Sequence, residues 1–237
     1  MTKTVLMIVT SHTALGDTGK STGVWAEELA VPYGQLTDAG AEVVLASPKG
    51  GPVAFDPSSV KPPGQNDPVV ERFLASDAAR STRTLDGVDG SAFDAVFFPG
   101  GHGAMWDLPV DAGVARTLEA AHAAGRWIAS VCHGAAGLVS AKDGQGRPLV
   151  AGRRINAFTD AEEDAVGLTG VVPFKLESRL RELGAVFVGA PNWQEFAVQD
   201  GPFITGQNPQ SSRRVAQHLV EALGLSETSQ AGQGATA

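Results

Sequence analysis

Short apolar runs alternate along this chain with longer stretches in which apolar residues recur every three or four positions. Thr4–Ser11 (TVLMIVTS) is such a run, rich in branched side chains, and predicts a buried strand. Helical spacing follows over Val24–Ala39 and stops at Gly40. Ala41–Ser47 (AEVVLAS) predicts the next strand, ahead of a turn at Pro48–Pro52. Val69–Ala79 predicts a helix, and Asp94–Pro99 (DAVFFP) a strand that runs out into Gly100-Gly101-His102-Gly103. Val114–Ala124 predicts a helix closed by Gly125, a residue that takes the left-handed C-terminal conformation cheaply. Trp127–Val131 predicts a strand with Cys132 at its tip. Further on, the pattern predicts strands at Arg154–Phe158 and Ala185–Gly189 and a helix at Pro173–Leu183. A hairpin of Phe196–Val198 with Phe203–Thr205 and a last helix at Arg213–Leu223 complete the set.

Strands alternating with helices imply an open, mostly parallel sheet with helices on both faces, an α/β fold carrying a small β-hairpin addition. Nothing resembling a linker divides the pattern and no internal repeat is visible, so residues 1–225 are read as one domain. The last twelve positions, Ser226–Ala237, are polar and small, and disorder is expected there. Such sheets bind ligands beyond the carboxyl ends of their strands. That rule singles out the loop after the first strand, Gly100–Gly103, and Cys132-His133.

Composition narrows the function classes. Apolar residues make up 43% of 237 positions, enough for a large core, and the formal net charge is -8. That charge argues against nucleic acid or an anionic membrane as main partner. No apolar stretch approaches the roughly 20 residues a membrane helix needs. The first apolar run is short and has no small-residue cleavage site, so a strand is expected there in place of a signal peptide. Cys132 is the only cysteine. It has no disulfide partner within the chain, and a cytoplasmic protein is expected.

Three stretches are candidates for chemistry. Ala14–Ser21 (ALGDTGKS) differs from a phosphate loop only at its first position, and follows a strand as such a loop should. A second strand ending in a magnesium-holding acid is missing, because Asp94 lies at the start of its strand, so a plain polar loop is the better reading. Gly100–Gly103 offers backbone N–H groups able to approach a developing oxyanion. His102 within it is either an active-site residue or an exposed loop histidine. Cys132 sits where a strand meets a following turn of small residues, Gly134, Ala135 and Ala136, the layout of a nucleophile elbow. A helix N-terminus beneath it would favour thiolate. A buried core cysteine is the competing reading. A nucleophile needs a base, which His133 can supply, and an orienting acid from Glu27-Glu28 or Asp160–Asp164. Residue type and spacing do not choose between those clusters.

A family resemblance does choose. SVCHGAAGL, preceded by FFPGGHGAMWDLP, resembles the ThiJ/PfpI superfamily, and TGVWAEELAVPY, EVVLASPKGGPVAFDPSS, INAFTDAEE and ITGQNPQSS occur in that family's order. The resemblance spans Thr4 to about Leu223 and is similar to the chaperone/glyoxalase III branch. It implies a flavodoxin-like, class I glutamine amidotransferase-like fold. It also implies Cys132 as nucleophile, Glu28 as a buried glutamate touching the thiol, His133 as triad histidine and Glu163 as its acid. Amides near Gly101 and His133 would form the oxyanion hole, and His102, Trp25 and Met105 would line the substrate pocket. The implied activity is conversion of methylglyoxal, or a similarly small 2-oxoaldehyde carbonyl substrate, to a 2-hydroxy acid. It uses neither glutathione nor any cofactor or metal, and a homodimer is implied. A Cys-His-Glu hydrolase, a glutamine amidotransferase, and a stress chaperone or redox sensor without turnover are the alternatives.

Overall fold

The computed structural model describes residues 2–226. Nine strands and seven helices follow in the order β1 (Thr4–Ile8), α1 (Ala26–Asp38), β2 (Glu42–Ser47), α2 (Pro68–Leu74), β3 (Arg83–Thr84), β4 (Ala95–Phe98), α3 (Ala104–Asp107), α4 (Ala112–Ala123), β5 (Trp127–Val131), β6 (Arg154–Ile155), α5 (Asp160–Ala165), α6 (Leu176–Glu182), β7 (Val186–Phe187), β8 (Ala197–Asp200), β9 (Phe203–Gly206) and α7 (Ser212–Ala222), among the described residues. Seven strands form one sheet in the order β3-β2-β1-β4-β5-β9-β8, parallel throughout except for the antiparallel pair β8–β9.

Period-two alternation along the central strands builds two cores. Leu6, Ile8, Val96, Phe98 and Ile128 face one side, where they meet Leu108, Val114 and Leu118. Val5, Met7, Ala95, Phe97 and Ala129 face the other, against Leu29 and Leu36 of α1 and Val215 and Leu219 of α7. Both faces of the sheet are therefore dry, which is why these strands read as unbroken apolar runs. The chain runs outward from β1 through β2 to β3, then returns across β1 to β4, β5 and β9. The direction changes at β1–β4, and ligands bind at the carboxyl ends of strands beside such a switch.

Several expected boundaries move. The first strand stops at Ile8 because Thr10 and Ser11 turn to Asp107, with Thr10 Oγ1 at 2.8 Å and the Ser11 amide at 2.7 Å from its carboxylate. The Ala14–Ser21 segment closes on itself through a bridge between its two ends, and α1 begins only at Ala26. Its lysine and serine therefore do not open a helix, as a phosphate loop requires. The expected hairpin is present but is built into the sheet, with β9 seated beside β5. Separate from it, β6 and β7 make a small parallel pair, so the strand expected over Arg154–Phe158 is only two residues long. The segment expected to be disordered lies, beyond Ser226, outside the described residues.

Candidate active site

Cys132 stands one residue past β5, with φ of 57°. Side chains rarely occupy that left-handed region, and holding one there costs on the order of 1–2 kcal/mol. The turn continues as a 3₁₀ segment, Cys132–Leu138, in which every residue is buried. Gly134 permits the tight exit: a Cβ there would fall 2.0 Å from the Phe98 carbonyl oxygen. Gly100, just past β4, is equally constrained. Its Cβ would lie 2.4 Å from Glu28 Oε2 and 2.8 Å from the His133 nitrogen. Bare backbone at these two positions lets the ends of β4 and β5 and the first turn of α1 converge.

Glu28 is that first turn's contribution. It is fully buried while Glu27 beside it is exposed, the division the resemblance implied. Its Oε2 accepts from the Gly100 amide at 2.9 Å, and its Oε1 is buried without a hydrogen-bond partner. Burial drives the Glu28 carboxyl up to about 8, against smaller opposing effects from Cys132 and the Gly100 amide. Glu28 therefore holds its proton at neutral pH. Burial also pushes the Cys132 thiol up, and an ionised Glu28 would push it further. The expectation of a thiolate favoured by a helix N-terminus is thus not met. The segment after Cys132 is a 3₁₀ turn, and desolvation outweighs what its amides offer.

A base lies on the thiol's other side. His133 Nδ1 is 3.4 Å from Cys132 Sγ, and His133 Nε2 is 2.7 Å from Glu163 Oε2. Burial, assisted by the neighbouring His102, holds the His133 imidazole down at about 4. Burial works to raise the Glu163 carboxyl, but hydrogen bonds from His102 and His133 overcome it and bring it to about 2. Glu163 is accordingly the acceptor. Nε2 of His133 carries the ring proton, and Nδ1 turns its lone pair toward the thiol. His102 is part of the same cluster, its Nε2 2.9 Å from Glu163 Oε1 and its ring 4.1 Å from that of His133. His102 is therefore not an exposed loop histidine: its side chain is 14% exposed and bonded to Glu163.

The remaining sequence candidates divide. The Gly100 carbonyl accepts from the Trp25 amide at 3.0 Å, which sets Trp25 beside the glycine turn. Gly101, with φ of 105°, packs against Gly23 and Trp25. Met105 is 1% exposed and packs in the core cluster that holds Phe98 and Leu138.

Three contributors were not anticipated. Phe158 packs its ring 4.4 Å from that of His133, and Trp193, itself at φ of 65°, lies 5.7 Å beyond it. Glu162 is fully buried and ties the site together. Its Oε2 accepts from the Thr159 amide and hydroxyl, both at 3.0 Å. Its Oε1 accepts from Trp193 N, Gln207 Nε2 and Asn208 Nδ2 at 2.9, 3.2 and 2.9 Å. The spacing Thr159-x-x-Glu162 is a capping-box signature, and it was the available signal that the two glutamates do different work. Glu162 caps α5, and Glu163 faces the histidines.

Comparison with known proteins places the chain in a family. The model of the DJ-1/PfpI family matches residues 21–222. A curated relative from Candida albicans, glyoxalase 3, is 29% identical over 94% of this chain and 98% of its own length. A glutathione-independent glyoxalase of Schizosaccharomyces pombe is 31% identical over 86% of this chain and 88% of its own. Among solved structures, the Francisella tularensis Rapid Encystment Protein 24 kDa superposes with a TM-score of 0.88 at 37% identity, covering 93% of this chain and 99% of that one. Glyoxalase III from Candida albicans gives 0.83 at 29% identity, covering 93% and 97%.

Proposed function

This chain belongs to the DJ-1/PfpI family, and from that premise we propose that it is a glutathione-independent glyoxalase of the lyase class. It turns methylglyoxal or a similarly small 2-oxoaldehyde into the 2-hydroxy acid. The observation that carries this reading is the pairing of two opposite proton carriers on one buried thiol. Neutral His133 is poised to accept, and protonated Glu28 is poised to donate. Near-full-length relatives that carry the glyoxalase name support it.

The chemistry balances on these residues. Cys132 Sγ bonds to the aldehyde carbon as its proton passes to His133 Nδ1 and the Glu28 proton passes to the aldehyde oxygen, giving a hemithioacetal. The Glu28 carboxylate then takes the hydrogen from that carbon while His133 protonates the adjacent ketone oxygen, giving an enediol. Glu28 returns the proton to the second carbon as His133 accepts the hydroxyl proton, leaving a thioester. Water attacks it with Glu28 as base, and the departing sulfur recovers its proton from His133. Glu28 must gain and lose a proton repeatedly near neutrality, which suits a carboxyl raised to about 8. Glu163 holds His133 in the working tautomer and opposes the charge it acquires. With Cys132 3% and His133 1% exposed, the site favours a small carbonyl over a polypeptide, which separates this reading from a peptidase.

The test is consumption of methylglyoxal and formation of lactate by the reduced protein with glutathione omitted. Turnover by the wild type and none by Cys132→Ser is expected. Equal lactate from both proteins would remove the thiol, and the reading with it.

A further inference from the structure

His102, His133 and Glu163 form a compact cluster of metal-ligand side chains. One ring nitrogen from each imidazole and one Glu163 carboxylate oxygen lie within 4.8 Å of one another, two nitrogen donors and one oxygen donor. Both rings aim the same nitrogen at the same carboxyl group, at 2.9 and 2.7 Å. Two-thirds of this set is deeply buried, with Glu163 and His133 side chains 3% and 1% exposed, while His102 at 14% leaves one way in.

We propose that His102, His133 and Glu163 bind a zinc ion, and that zinc there disables the site by occupying the base of Cys132. The ligand set argues for zinc: calcium and magnesium want oxygen donors, whereas two imidazoles and a carboxylate with an open fourth position suit zinc. Around a tetrahedral ion with ligands at about 2.0–2.2 Å, neighbouring donors sit about 3.3 Å apart. The two nitrogen–oxygen contacts therefore need to open by roughly half an ångström. A shift of His102, the least buried member, opens its own 2.9 Å contact, and a turn of the Glu163 carboxylate opens the 2.7 Å contact to His133. The partner on the far side of His133 is already in place, because its Nδ1 faces Cys132 Sγ at 3.4 Å.

Binding has a defined proton consequence. In the metal-free site each Nε2–H donates to Glu163, and Nδ1 of His133 keeps its lone pair for the thiol. Zinc takes the Nε2 lone pair of each ring, so each ring proton moves to Nδ1. No proton leaves the rings, yet His133 now presents N–H to Cys132 and has no lone pair to receive the thiol proton. Sγ itself lies at the Nδ1 edge of the ring, opposite the metal, and is not a ligand. This inference goes beyond the glyoxalase reading and does not need it, since metal binding is measured apart from turnover.

Zinc chloride titrated calorimetrically into the reduced, chelator-treated full chain tests it. One ion per chain is expected in the wild type, with affinity unchanged in Cys132→Ser and weakened at least tenfold in His102→Phe and in Glu163→Gln. Because His102 is the most exposed of the three, its replacement decides the question should Glu163→Gln fail to fold. Turnover lost on adding zinc and regained with a chelator is expected alongside. Absence of a stoichiometric site overturns the proposal. So does binding that is lost in Cys132→Ser and kept in His102→Phe, which would put the metal on the thiolate.

Discussion

Replacing Glu28 with glutamine isolates the energetic consequence of burying a carboxyl against the thiol. In the folded chain the group titrates at about 8, and its ordinary value is 4.5. A raised carboxyl means that the folded state holds its proton where the unfolded chain has released it. The stability this contributes is whole below pH 4.5 and is lost as pH climbs to 8. Each pH unit in that interval is worth ~1.4 kcal/mol, so the full span is about 5 kcal/mol and the share lost by pH 7 is about 3 kcal/mol. Glutamine keeps the shape and the acceptor for the Gly100 amide but cannot ionise, so Glu28→Gln escapes the loss. The groups facing Glu28 are Cys132 across the site and Glu27 beside it on α1. The comparison is therefore made in a Cys132→Ser background, which removes the thiol's own titration. Urea unfolding from pH 5 to pH 9 should show the two proteins close together at the acid end. The glutamine form should pull ahead by several kcal/mol at the alkaline end. A difference that stays flat across this range would refute the claim that Glu28 is buried in its neutral form.

Other perturbations follow from the same geometry. Gly134→Ala should prevent folding or lower the melting temperature sharply, because a Cβ 2.0 Å from the Phe98 carbonyl oxygen forces β4 and the cysteine turn apart. Gly144→Ala, where nothing lies within 4 Å, is the matched control in the same melting assay. Glu163→Gln should cut kcat by about 10²–10⁴-fold, since His133 loses the acceptor that fixes its tautomer. Steady-state kinetics would show the loss in kcat with KM much less affected. Glu162→Gln should cost about 2–4 kcal/mol in urea unfolding, as a neutral amide cannot accept from all five donors now converging on that carboxylate.

Much of the architecture was legible because these strands are buried on both faces. Trp127–Val131 has the bounds its apolar pattern implied, and β1, β2 and β4 differ only at their ends. Those ends are set by long-range hydrogen bonds, such as Asp107 reaching Thr10 and Ser11, which no local window contains. The two-residue strands β3, β6 and β7 were invisible or overlong for the same reason: pairing alone defines them. In the site, Cys132 and His133 could be found from the strand-to-turn pattern. Glu28 needed family motifs, because Glu27 beside it carries the same local signal and only burial separates the two. Glu162 and Glu163, by contrast, are both buried and differ locally only in the capping box that Glu162 completes. Trp193 and Glu162 meet only through the folded chain, with the Trp193 amide 2.9 Å from the Glu162 carboxylate.

The most direct measurement stops Glu28→Gln partway. The variant keeps the thiol and its base, and the proton that His133 takes from Cys132 can pass on to the aldehyde oxygen. It has no carboxylate to take the hydrogen from the hemithioacetal carbon. Incubated with methylglyoxal and examined by intact-mass and peptide mass spectrometry, it should accumulate one methylglyoxal on Cys132 and release no lactate. The wild type should show lactate and little adduct. Lactate from Glu28→Gln at the wild-type rate, or no adduct on Cys132, would contradict a mechanism in which a buried thiol attacks and a buried glutamate moves the proton.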